Sequence, residues 1–112
     1  MERKYIYEVS FVGNEIKCEL YKNKREQIDE WEIPLRTEKN GLYIISDIAE
    51  TVQRNIAENW ISELEVAELR LSLPKEDQIN LRTLRFLRPG WTATEIEHEL
   101  REETGLRITT FP

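Results

Sequence analysis

Apolar and polar positions alternate at the start of the chain. Over residues 4–12, Tyr5, Tyr7, Val9 and Phe11 share one face, and over residues 15–21 Ile16, Cys18 and Leu20 do the same. A period of two filled with β-formers predicts two strands. The Gly13-Asn14 pair between them offers the positive φ of a two-residue hairpin. Lys22–Gln27 reads as a charged loop. Residues 28–35 then place Trp31, Ile33 and Leu35 on one face, opposite Glu30 and Glu32. Pro34 cannot donate to a ladder, which assigns this segment to a sheet edge or a strand end. After Asn40-Gly41, Leu42–Ile45 reads as a fourth, short strand.

The period then lengthens. Ile48, Val52, Ile56, Trp60 and Leu64 recur every four residues, broadened by Ala49, Ala57 and Ile61, which predicts an amphipathic helix with Trp60 in the core. Ser46 or Asp47 supplies its N-cap, with Glu50 completing a capping box after Asp47. The opposite face carries Asp47, Glu50, Glu58, Glu63, Glu65 and Glu68 against Arg54. Leu69, Leu71 and Leu73 alternate up to Pro74, a further strand. Residues 79–87 fit a strand through Ile79, Leu81 and Thr83, but Leu81, Leu84 and Leu87 also recur at helical spacing. Past Pro89-Gly90, Thr92 and Glu95 form a capping box for a second helix. In that helix Ile96 and Leu100 face the core, Glu97 pairs with Arg101, and Gly105 is the terminator. Leu106 and Ile108 open a last strand.

Strands outnumber helices, and the hairpins are local. The expected fold is therefore an α+β domain spanning 1–112: a mostly antiparallel sheet with two amphipathic helices packed on it.

Composition adds constraints. With 112 residues, 39% hydrophobic and 34% charged, the chain can build one core and is not of disordered composition. A formal net charge of -6 opposes the non-specific part of nucleic-acid binding and suits a basic partner surface. One cysteine, Cys18, leaves no disulfide within the chain and no cysteine zinc site, and on an apolar strand face it packs as a small hydrophobe. No apolar run approaches a membrane span, and nothing at Met1–Lys4 resembles a signal peptide. The expected location is the cytoplasm of a cell or of an infected host cell, without membrane association.

The search for chemistry returns fragments. His98, the single histidine, sits between Glu97 and Glu99 on a helix and reads as a solvated side chain. The four glycines are dispersed, so no phosphate-cradling loop is written into the chain. Glu99-Leu100-Arg101-Glu102-Glu103-Thr104-Gly105-Leu106 resembles the end of the box of the Nudix hydrolases, whose helical glutamates hold magnesium for pyrophosphate hydrolysis. His98 stands where that family has arginine, and Gly90 and Glu95 are out of register with its upstream glycine and glutamate. No catalytic or metal-binding residue is carried over, and no cofactor is expected.

Residues 79–104 can also be read as a helix-turn-helix, with Arg82, Arg85 and Arg88 as phosphate clamps. Against that reading, the second helix carries Glu95, Glu97, Glu99, Glu102 and Glu103, which phosphates repel. A third idea is that the acidic helices imitate a phosphate rail, as small phage inhibitors of nucleic-acid-binding proteins do. The primary expectation is a non-enzymatic interaction module, an adaptor, inhibitor or regulatory subunit that docks to another protein. Trp31, Trp91 and the Arg82, Arg85, Arg88 run are its candidate contact residues, because tryptophan and arginine are enriched at binding hot spots.

Overall fold

The computed structural model describes residues 3–36, 38–73 and 93–111. The alternating segments form β1 (Tyr5–Val12), β2 (Glu15–Lys22) and β3 (Glu26–Pro34). Gly13 alone in the first turn takes a positive φ, +61°, as a type II′ hairpin requires of its first central residue. The second turn is tighter than a charged loop: Asn23 and Lys24 both adopt left-handed φ, 54° and 66°, and the Arg25 amide bonds to the Lys22 carbonyl. That is type I′ geometry.

Two helices follow β3, the four-residue α1 (Glu38–Gly41) and α2 (Ile44–Glu58). The expected strand over Leu42–Ile45 is therefore absent. Ile44 and Ile45 lie four residues before Ile48 and Ala49, so winding them into α2 buries all four on one stripe. The N-cap moves with them. Tyr43 takes that position without a side-chain cap, and Ser46 and Asp47 lie inside the first turn. There the Ser46 hydroxyl donates to the Tyr43 carbonyl at 3.1 Å, and Arg36 grips the Asp47 carboxylate through Nε (2.7 Å) and Nη2 (2.6 Å). Arg36 also stacks over Tyr43, 4.3 Å from its ring centre.

A 3-10 turn (Glu63–Glu65) leads from α2 into β4 (Val66–Ser72), and α3 (Ala93–Thr104) precedes β5 (Ile108–Phe111). Gly105, φ +72°, ends α3 and donates its amide to Arg101 O, as expected. Glu97 accepts from the Thr110 hydroxyl at 2.6 Å, tying α3 to β5, and does not form the expected pair with Arg101.

The five strands form one sheet in the order β3-β2-β1-β4-β5. Its two longest ladders, β1/β2 and β2/β3, are antiparallel, while β1/β4 and β4/β5 are parallel. The α+β architecture with two amphipathic helices is as expected, and Pro34 lies at the end of an edge strand. One core joins the inward side chains Tyr7, Val9, Ile16, Cys18, Leu20, Leu69 and Leu71 to Ile48, Val52 and Ile56 of α2 and Ile96 and Leu100 of α3. Both long helices thus cover the same face. The other face is polar and open, with Arg70 flanked by Glu8 and Glu68, each at 3.5 Å. Among the described residues, no helix is long and apolar enough to cross a membrane. The strand-or-helix question at 79–87, the Thr92 cap, Trp91, Arg82, Arg85 and Arg88 all lie outside the described residues.

Candidate functional site

The start of β1, the end of β2 and the start of β4 meet at one end of the sheet, since Tyr5 pairs with both Lys22 and Val66. The last turn of α2 and the 3-10 turn join it there, pinned by an ion pair of 3.6 Å between Lys4 and Glu65. At this end lies the most exposed large apolar side chain among the described residues. Trp60, expected in the core, is 94% exposed, and Leu64 is 65% exposed.

The cause is local. The Trp60 amide bonds to Ala57 O (3.2 Å) and the Ile61 amide to Ile56 O (3.0 Å). These are the two bonds of a Schellman motif, with Trp60 at the left-handed position (φ +57°). The Asn59 side chain adds a third restraint, donating to Asn55 O at 2.9 Å. The reversal sends Ile61, not Trp60, back onto Ile56 and the core. A left-handed residue other than glycine or asparagine costs about 1–2 kcal/mol, so the indole is held outward against a backbone preference.

The segment beyond it is equally well tied. Ser62 accepts the Leu64 amide (3.3 Å), and Glu65 accepts the Ser62 amide (3.2 Å), a reciprocal capping box. Ala57, Trp60 and Leu64 are thus each exposed on a fixed backbone, as are the carboxylates of Glu58 and Glu63 in the same stretch of chain.

The other candidates fall elsewhere. Trp31 sits half-buried at the core edge, where its indole N–H donates to Thr51 Oγ1 at 2.8 Å and its ring meets Tyr7 edge-on at 6.3 Å. It couples β3 to α2. Cys18 is fully buried, and burial pushes its thiol up to about 12. Its thiolate is thereby suppressed, which removes the nucleophilic form. His98 is 70% exposed, 3.9 Å from Glu102 on the next turn. A buried polar chain crosses the core instead. The Tyr7 hydroxyl donates to Asn55 Oδ1 (2.8 Å), and Asn55 Nδ2 donates to Asp29 Oδ2 (2.8 Å). Burial, reinforced by the Asp29 charge, holds the Tyr7 phenol protonated well above its usual range. Among the described residues, no three His, Cys, Asp or Glu side chains are placed to share a metal ion.

No family model matches this chain, and no curated protein matches it in sequence. Its fold is shared with solved structures. A Ppx/GppA family protein from Aquifex aeolicus superposes with a TM-score of 0.54 at 10% identity, over 96% of this chain and 35% of that one. The ethanolamine utilization protein EutJ from Carboxydothermus hydrogenoformans gives 0.52 at 14% identity, over 98% of this chain and 37% of that one. The chain thus spans little more than a third of the proteins whose fold it shares.

Proposed function

We propose that this chain is a non-enzymatic docking module that binds another protein through the Trp60 corner. The observation that carries the reading is Trp60 itself: a fully presented indole on a backbone locked in a conformation that disfavours it. Exposed tryptophans that bury on association dominate binding energies. A strained residue persists where the surrounding structure over-determines it, and such residues cluster at functional sites. The exposed indole, with Leu64 and the carboxylates of Glu58 and Glu63 exposed in the same stretch of chain, suits an apolar pocket rimmed by lysine or arginine. The likeness to the Ppx/GppA protein and to EutJ concerns the path of the chain, whereas function resides in particular side-chain constellations.

Trp60→Gly tests the reading. Glycine relieves about 1–2 kcal/mol of left-handed strain and costs roughly 0.5–1 kcal/mol through the unfolded chain. The variant should therefore be as stable as the parent or up to about 1.5 kcal/mol more so in urea denaturation. Tagged parent protein should recover a protein partner from native lysate, also after nuclease treatment, and Trp60→Gly should lose it. A variant that recovers the same partner at the same yield removes Trp60 from the function, and recovery abolished by nuclease shifts the reading to nucleic acid.

A further inference from the structure

The same end of the sheet carries a second surface of opposite character. The segments Arg3-Lys4 and Lys22-Asn23-Lys24-Arg25 supply five of the chain's 16 cations. They are brought together by the Asn23 amide, which donates to the Lys4 carbonyl at 2.8 Å. Between them lies a shallow cavity of about 260 Å³ lined by Arg3, Lys4, Ile6, Asn23, Lys24 and Ala67. Of the nearby carboxylates, Glu65 is engaged with Lys4, and Glu8 and Glu68 with Arg70, while Glu26 stands exposed beside Arg25. Arg3, Lys24 and Arg25 are exposed and have no ion-pair partner among the described residues.

Lys24 is a further signal. It stands at the second central position of a type I′ turn, where glycine is favoured, with φ 66°. A cation is thus kept at a site whose backbone prefers glycine, in a chain of net charge -6.

From this geometry we infer that the basic turn and its cavity bind an acidic peptide segment of a partner protein. A compact anion such as phosphate is best met by converging backbone amides. Here the Asn23 and Arg25 amides are spent on Lys4 O and Lys22 O. What remains is a row of separate, flexible point charges beside the apolar floor of Ile6 and Ala67. That row suits carboxylates spaced along a chain.

The test uses the full chain and a fluorescein-labelled oligoglutamate peptide, read by fluorescence anisotropy. The peptide should bind at low salt and weaken at least tenfold between about 50 and 300 mM salt, as screened exposed charges require. Lys24→Glu and Arg3→Glu should each weaken it at least tenfold, and Arg54→Glu on the exposed side of α2 should leave it unchanged. Lys24→Gly, which suits the turn and removes only the cation, should also weaken binding and guards against a misfolded Lys24→Glu. Trp60→Gly should bind the peptide within twofold of the parent, so this surface stands or falls independently of the Trp60 corner. Absence of binding at low salt overturns the inference, as does binding by both Lys24 variants equal to the parent's. Displacement of the peptide by equimolar inorganic phosphate, or tighter binding of single-stranded RNA of equal length, overturns it in favour of those ligands.

Discussion

The carboxamide of Asn55 is 5% exposed, and both of its ends are used, by Tyr7 and by Asp29. Its own carbonyl accepts from Asn59 twice, through backbone and side chain. One residue therefore links the middle of β1, the edge strand β3 and the reversal that presents Trp60. Asn55→Leu would strand a buried phenol and leave Asp29 facing an apolar group. Leaving buried polar partners unmade costs about 1–3 kcal/mol each, so a loss of roughly 2–6 kcal/mol is expected in urea denaturation. Tyr7→Phe should cost only about 1 kcal/mol, because it removes one donor without leaving the asparagine fully unpaired. Equal losses for both variants would show that the chain of bonds does not run through Asn55. Nothing in the sequence announced this network, since an asparagine on a helix reads as solvent-facing until the strand beneath it is known. The left-handed Lys24 and Trp60 were hidden for a similar reason. Sequence signals positive φ through glycine, and it did so correctly at Gly13 and Gly105.

At the scale of elements, the first hairpin and the start of the last helix's apolar stripe were legible because their signals are local. The misreading of α2 has a geometric origin. A spacing of four residues advances about 40° per step beyond a full turn. Even if the helix ran on past Glu58, the stripe that begins at Ile48 would stand roughly 120° off the core by Trp60 and roughly 160° by Leu64. Ile61 occupies the buried position because the Schellman reversal, not helical continuation, sets its direction. At the other end, Leu42–Ile45 was a short apolar run of the kind periodicity cannot assign. Helix α3 offers a check on stripe logic where it held. Leu100 is fully buried and His98 is 70% exposed. Leu100→Ala should cost about 2–5 kcal/mol, and His98→Ala less than about 0.5 kcal/mol, in the same denaturation assay. A substantial penalty at His98 would mean that this face of α3 is covered.

For the whole molecule, the pairing of β1 with β4 is what sequence could not supply. It joins strands about sixty positions apart by a parallel ladder, which no turn residue encodes. In the sheet so completed, Tyr7 and Cys18 are fully buried and keep their protons, as does the half-buried Tyr21 for a different reason. Burial holds Cys18 near 12. The hydrogen bond from Tyr21 to the Glu19 carboxylate, followed by desolvation, holds that phenol near 12, and burial raises Tyr7 further still. In the unfolded chain a thiol ionises near about 8.5 and a phenol near about 10. Above those values the unfolded state carries fewer bound protons than the folded state, so stability falls as pH rises. The contribution is complete below about pH 8.5, begins to disappear with the thiol, and is lost faster once the phenols of the unfolded chain ionise. On the acid side the sign reverses for Glu30, which Lys17 and Gln27 hold below the usual carboxylate range. Its stabilisation is present above about pH 4.3 and fades as pH falls, but solvent screening at this exposed site makes the effect small. The urea midpoint should therefore be nearly level from pH 6 to 8 and decline between pH 9 and 11. Tyr7→Phe should flatten the upper part of that decline, and Cys18→Ala the part that begins near pH 8.5, even if each lowers the midpoint at neutral pH. A midpoint that stays level to pH 11 would mean that the Tyr21–Glu19 bond is not held and that the sheet does not close over Tyr7 and Cys18 as described.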